Sequence, residues 1–129
     1  MDIRNFENEI QVPFVSDAIR EELYSWLCKV NSEYFKDSNH IYELSIEICE
    51  RYFMSCSFMM ENYKSIICAG CTALWIAHKL ESHDDTQHPL EDYIYLSSES
   101  FTKNELIEME RKICYALEYY LYNPLAFGF

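Results

Sequence analysis

The chain has 129 residues, of which 50% are hydrophobic and 16% aromatic, so it is long enough to bury the core of one domain. Its 22 acidic residues outnumber 10 basic ones, and the formal net charge of -12 would repel a nucleic acid backbone over most of the surface. The longest uncharged run, from Ser65 to Ala77, is shorter than the roughly 20 residues of a membrane span. Composition therefore predicts one domain that binds neither nucleic acid nor membrane.

The N-terminal stretch MDIRNFENEIQ lacks the basic, apolar and small-residue order of a secretory signal. Six cysteines without such a signal, several of them inside apolar runs, favour reduced thiols over a disulfide framework. We therefore expect an intracellular protein of the nucleus and the cytoplasm.

Long helices are predicted, because glycine is rare and no proline interrupts residues 14–88. The first helix begins after Ser16, a candidate N-cap, and its apolar residues recur at helical spacing as far as Tyr34. The second helix covers roughly residues 39–55, with Asn39 as the candidate cap and glutamates on its outer side. Both helices are amphipathic, so each should lay one face on a core.

The third helix starts near Glu61 and is apolar around its whole circumference, which predicts the central helix of a bundle. Gly70 should let a neighbouring backbone approach this helix closely. Pro89 can open a short fourth helix at its first position, and Thr102 with Glu105 has capping-box spacing at the start of a fifth. One side of the fifth helix carries apolar residues at helical spacing: Leu106, Met109, Ile113, Ala116, Leu117 and Tyr120. The prediction is an all-α domain, a five-helix bundle around a buried third helix.

Cys68 and Cys71, followed by His78 and His83, superficially offer four zinc ligands. A continuous helix would place His78 about 10 Å beyond Cys71 along its axis, which is too far for one ion. Neither cysteine stands at the helix N-terminus that a redox Cys-x-x-Cys motif needs. We expect small core residues, no metal and no cofactor. No catalytic triad order, phosphate loop or carboxylate pair is recognisable, so no enzyme activity is expected.

Four segments stand in order along the chain: IREELYSWLCKV, ERYFMS, ALWIAHKLES and FTKNELIEMERKICYALEYYLYNPLAF. Each resembles the matching segment of the cyclin family's N-terminal cyclin box, closest to the mitotic, A- and B-type cyclins. The resemblance implies an N-terminal segment over residues 1–15 and a cyclin box over residues 16–127 with its five-helix fold. Many cyclins carry a second box, which is absent from this sequence, so we expect either a fragment of a two-box cyclin or a one-box form. The resemblance also implies a regulatory subunit that forms a heterodimer with a cyclin-dependent serine/threonine kinase, activates it and controls cell-cycle progression.

Lys79 on its own would be explained by the preference of a helix C-terminus for a cation. The resemblance implies instead that Lys79 pairs with Glu110 and that both bond to backbone groups of the kinase, near its mobile catalytic-site helix. It implies further kinase-binding residues of apolar character: Ile76, Leu80, Tyr119 and Leu121. It also matches Arg20 and Glu50 to a structural pair that ties the first two helices together.

Ile19, Leu23 and Trp26 form one stripe at i, i+4 and i+7, which by spacing alone indicates core packing. The resemblance implies that these residues, with Ile66, form an exposed groove that docks an arginine-x-leucine motif of substrates or inhibitors. Lys29 stands where these cyclins carry a glutamate that attracts the arginine of the motif. A cation facing a cation disfavours such a peptide, so we expect ordinary docking to be weakened.

Two alternatives stay open at this point. The first is a cyclin-box scaffold or transcription-type adaptor that binds no kinase, against which the presence of both Lys79 and Glu110 argues. The second is a small zinc or redox protein built on Cys68 and Cys71, which a zinc assay on the purified protein would test.

Overall fold

The computed structural model describes residues 15–56, 62–81, 88–118 and 120–121. These ranges hold five α-helices and no strand: α1 Asp17–Lys29, α2 Asn39–Ser55, α3 Tyr63–Glu81, α4 Leu90–Leu96 and α5 Lys103–Ala116. A π-helical turn, Val30–Tyr34, continues α1. The predicted all-α, five-helix fold is confirmed.

Local sequence signals explain where α1 and α5 begin. Ser16 Oγ accepts a hydrogen bond from the Ile19 N–H at 3.3 Å, as expected of an N-cap. Thr102 and Glu105 form a complete capping box, in which each side chain accepts from the other residue's backbone N–H, at 3.1 and 2.8 Å. Both predicted helix starts are confirmed, because each is fixed by residues adjacent in the chain.

Three other helix ends differ from the prediction. Ser38, and not Asn39, is the N-cap of α2; Asn39 lies in the first turn, where its Nδ2 donates to Glu43 at 2.9 Å. Pro89 is the N-cap of α4 instead of its first residue. Helix α5 ends before Tyr120, which is 64% exposed and does not extend the buried side of that helix.

Helix α3 lies at the centre of the bundle, as its apolar circumference predicted. It packs against α1, α2, α4 and α5, and residues 66–74 and 76–78 are all buried. The close approach expected at Gly70 is present, although the group that approaches is the side chain of Leu23 and not a backbone. Across the described ranges, no helix combines the length and apolar character needed to cross a membrane.

The π-helical turn after α1 carries a polar side chain into the core. The Phe35 N–H bonds to the Val30 carbonyl at 3.1 Å, five residues back, and Lys36 follows with a left-handed φ of 54°. Asn31, inside the turn, is 1% exposed, although amide side chains usually stay at the surface. Its Nδ2 donates to the Ser38 carbonyl at 3.0 Å, which fixes the orientation of the amide.

Candidate functional site

The Lys79–Glu110 pair joins the last turn of α3 to α5. Lys79 Nζ donates a charge-assisted hydrogen bond to Glu110 Oε2, so the structure brings the two predicted residues together. Their side chains remain 30% and 26% exposed, which places the pair at the surface without full hydration. The partial negative charge at the end of α3 also favours the ammonium.

Trp75 is a third member of this site, and the sequence analysis missed it. Lys79 Nζ lies 3.4 Å from the centroid of the Trp75 ring, within the range of a cation–π interaction. The two residues are four apart on α3, so helical spacing already placed them on the same side and was the available signal. The ammonium is therefore held by both an indole face and a carboxylate.

The apolar residues expected around the pair differ in how much of each side chain is exposed to solvent. Leu80 is 36% exposed, and Leu121 is half-buried against the core. Ile76 is only 1% exposed, because it lies on the face of α3 that packs into the bundle. The expectation that Ile76 offers surface to a partner is therefore corrected: it supports the end of α3 from inside. Tyr119 lies outside the described residues.

Cys114, one turn beyond Glu110 on α5, is half-buried beside the charged pair. Burial raises the pKa of its thiol, the Glu110 carboxylate raises it further, and the Lys79 ammonium lowers it. Both charges are thus within electrostatic reach of the thiol. The surroundings of the pair are partly apolar, which strengthens any electrostatic contact made there.

Arg20 and Glu50 meet between α1 and α2. Arg20 Nη1 donates to Glu50 Oε2 at 3.1 Å, and the side chains are 24% and 38% exposed. Tyr24, which the sequence analysis did not single out, donates its hydroxyl to Glu50 Oε1 at 2.7 Å. Burial is the main cause of the raised pKa of Tyr24, so its hydroxyl stays protonated as a donor. One carboxylate therefore links two side chains of α1.

The expected docking groove lacks its apolar floor. Ile19, Leu23 and Ile66 are 2%, 0% and 2% exposed, because α1 lays this side on α3. Trp26 alone of the four predicted residues is half-buried. A shallow depression beside it is lined by Ala18, Glu21, Glu22, Ser25, Trp26 and Lys29. The expectation of an exposed groove is wrong for three of the four residues, and the packing indicated by their spacing describes them correctly.

Cys68 and Cys71 are core residues, at 3% and 2% exposure. Burial raises the pKa of Cys68 to about 11 and that of Cys71 well above its usual value. His78 is buried and bonds to Asn31 and Tyr93. His83 lies outside the described residues. The structure thus gives His78 polar partners of its own, which the sequence analysis did not foresee.

The fold and the charged pair define a class of protein: an all-α bundle with a lysine and a glutamate joining its third and fifth helices. Residues 4–122 match the family model described as the N-terminal domain of cyclins. The chain is 29% identical over 110 residues to cyclin-A3-3 of Arabidopsis thaliana, covering 85% of this chain and 32% of the relative. It is 28% identical over 117 residues to the G2/mitotic-specific cyclin-A of Drosophila melanogaster, covering 89% and 22%.

A B-type relative matches as well. The chain is 27% identical over 118 residues to the G2/mitotic-specific cyclin-B3 of Caenorhabditis elegans, covering 91% of this chain and 29% of the relative. The chain therefore spans less than a third of the length of these relatives. It belongs to the cyclin family, as the four quoted segments predicted.

Proposed function

We propose that the chain is a cyclin-type regulatory subunit that binds and activates a cyclin-dependent serine/threonine kinase, in the nucleus and cytoplasm, and so controls cell-cycle progression. The observation that carries the proposal is the Lys79–Glu110 pair, assembled at a partly exposed surface against Trp75. The chain is similar to a G2/mitotic-specific cyclin-A and a G2/mitotic-specific cyclin-B3, and these likenesses support a role in cell division.

The pair has hydrogen-bonding capacity left for a partner. A lysine ammonium carries three donors and a carboxylate offers several acceptor sites, whereas the contact between Lys79 and Glu110 uses one of each. The remaining donors and acceptors suit the backbone carbonyl and amide groups of a partner helix or loop. Because each charge already has an opposite charge beside it, covering the pair leaves no isolated ion to desolvate.

The proposed mechanism is positional. A protein kinase is active when a strand lysine and the glutamate of a mobile helix are in contact. A rigid surface that binds only the inward position of that helix shifts the equilibrium by its differential affinity for the two states. A shift from 1:99 to 99:1 needs about a 10⁴-fold difference in affinity between the two positions of that helix. The proposal therefore assigns no catalytic group to this chain.

Binding to a panel of purified cyclin-dependent kinases tests the proposal. The kinase would be immobilised, Kd measured by surface plasmon resonance, and phosphorylation of a peptide substrate followed as a second readout. Lys79→Ala should weaken binding by about 30-fold or more, because truncating one member of a covered, hydrogen-bonded charge pair costs about 2 kcal/mol or more. The variant should stay folded, since an ion pair near the surface contributes only about 0–1 kcal/mol.

The chain offers a matched control in Lys64 and Glu105, a second lysine–glutamate pair that joins α3 to α5. Lys64 Nζ lies 2.8 Å from Glu105 Oε2, and the side chains are 44% and 41% exposed. Lys64→Ala should leave kinase affinity unchanged. Equal affinities of Lys79→Ala and the unmodified chain would contradict the proposed site. Failure to bind any kinase of the panel would contradict the proposed function and favour a scaffold role.

A further inference from the structure

Two of the chain's four histidines converge on one carboxylate, away from the Lys79–Glu110 pair. Asp37 Oδ2 lies 3.5 Å from His78 Nε2 and 3.9 Å from His88 Nε2, and the three ligand atoms are all within 4.8 Å of one another. Asp37 precedes α2, His78 belongs to α3 and His88 precedes α4. Three separate segments of the chain thus meet at one point.

We propose that Asp37, His78 and His88 form a binding site for a zinc ion. Two imidazoles and one carboxylate are a ligand set that zinc uses, with the fourth position open to a further oxygen ligand. Bonds of about 2.0–2.1 Å in a tetrahedron place ligand atoms about 3.4 Å apart. The separations of 3.5 and 3.9 Å are already close to that value. No two ligand atoms are more than 4.8 Å apart, so the widest separation has to shorten by at most about 1.4 Å when an ion binds.

The three side chains differ in how far they can move, and the ligand set can close around an ion only if some of them move. The side chain of His78 is 1% exposed and is fixed by its neighbours, whereas Asp37 and His88 are 25% and 24% exposed at the rim. The Phe35 ring packs against both imidazoles, with ring centroids 4.8 and 4.4 Å apart. His78 therefore supplies the fixed ligand, and the two rim residues can turn toward it.

Hydrogen bonds around His78 orient its ring as a ligand. Tyr93 Oη lies 2.5 Å from His78 Nδ1, on the side away from Asp37, and an oriented second nitrogen is typical of metal-binding imidazoles. Because Nδ1 accepts from the Tyr93 hydroxyl while Nε2 donates to Asn31, the buried ring is neutral, which is the form that binds metal ions.

Metal binding moves one proton within the His78 ring. Asn31 Nδ2 donates to the Ser38 carbonyl, so Asn31 Oδ1, 3.0 Å from His78 Nε2, accepts the proton of Nε2 when no ion is bound. With zinc on Nε2, that proton moves to Nδ1 and is donated to Tyr93 Oη, the Tyr93 hydroxyl proton turns away from the ring, and Asn31 Oδ1 is left facing the ion as a fourth ligand. The imidazole stays neutral in both forms, and no oxidant, reductant or other reactant is involved.

This site is distinct from the cysteine-based set that the sequence analysis rejected, and it does not depend on the proposed kinase partner. Zinc titration by calorimetry tests it on chelator-treated protein. The half-buried thiols of Cys28 and Cys114 would first be removed as serines, so that they do not compete for the metal. We expect one zinc per chain. Loss of a residue that only supports a metal ligand weakens metal binding by about 10- to 100-fold. His88→Ala removes a ligand itself, so it should weaken zinc binding by more than that.

His40→Ala is the matched control, because His40 lies on the outer part of α2 with its side chain 51% exposed and outside the cluster. It should leave zinc affinity unchanged, whereas Asp37→Asn should weaken it. Substitution of cobalt for zinc gives a second readout. The cobalt-loaded protein should show the visible absorption of a tetrahedral site with nitrogen and oxygen ligands, and it should lack the charge-transfer band of a thiolate ligand. Absence of stoichiometric zinc, undiminished affinity of the folded His88→Ala variant, or a thiolate band would overturn the proposal.

Discussion

Gly70→Ala should destabilise the chain, although alanine is the better helix former. A Cβ at position 70 would lie 2.8 Å from Leu23 Cδ1, 3.1 Å from Cδ2 and 3.2 Å from Cγ. Carbon atoms in favourable contact are about 3.5–4.0 Å apart, so Leu23 has to retreat by about 0.7 Å or more. Leu23 is 0% exposed, so its side chain has no solvent to turn into and has to move within the packed core between α1 and α3.

The two opposing effects can be compared directly. Overpacking a filled core costs about 1–3 kcal/mol, and replacing a helical glycine with alanine returns about 0.5–1 kcal/mol. The free energy of unfolding should therefore fall by about 1 kcal/mol, equivalent to a loss of roughly 4 °C in Tm for a domain of this size. Urea unfolding followed by far-ultraviolet circular dichroism measures the difference.

A double-mutant cycle identifies the cause. Leu23→Ala removes the three atoms that crowd position 70, so Gly70→Ala in that background should be neutral or stabilising by up to about 1 kcal/mol. The coupling between the two substitutions should be at least about 1 kcal/mol. A Gly70→Ala protein more stable than the unmodified chain, or the same cost in both backgrounds, would refute the reasoning.

Three further results are expected. A thiol reagent should reach Cys28 and Cys114 first in the native protein, because the other four thiols are buried; rapid reaction of a third thiol before unfolding would contradict this. Tyr24→Phe should lower the free energy of unfolding by about 1.5 kcal/mol in urea titrations, since the Tyr24 hydroxyl donates to the charged Glu50; an unchanged urea midpoint would show that this hydrogen bond does not stabilise the fold. An arginine-x-leucine peptide should bind weakly by fluorescence titration, and Lys29→Glu should strengthen it no more than about fivefold, because relieving a repulsion of about 1 kcal/mol creates no apolar floor. Submicromolar binding by the unmodified chain would contradict the last expectation.

Much of the fold could be predicted from the sequence, because its signals are local. Ser16 and the pair Thr102 and Glu105 cap helices through contacts within three residues, and the apolar circumference of α3 already required neighbours on every side. The π-helical turn Val30–Tyr34 was not predicted, since the apolar spacing of a helix does not reveal one extra residue in a turn.

The candidate site was less predictable, because its members come from distant parts of the chain. Lys79 and Glu110 are 31 positions apart, so no helical spacing brings them together, and only the resemblance to cyclins suggested their contact. For Ile19 and Leu23 the resemblance misled and the residue spacing was right. Their helical spacing indicated a face packed on the core, which the structure shows, whereas the resemblance implied an exposed groove.

The contact between Trp75 and Lys79 also gives the chain an intrinsic fluorescent probe at this surface. The chain has two tryptophans, Trp26 and Trp75, and only the second stands 3.4 Å from an ammonium. Replacing Trp26 with phenylalanine would leave a single indole emitter at this surface. Indole emission responds to a neighbouring charge and to loss of water, so any molecule that covers the ammonium would change the wavelength and intensity of the emitted light. Arrival and departure of that molecule would then be timed by stopped-flow fluorescence, with no dye attached.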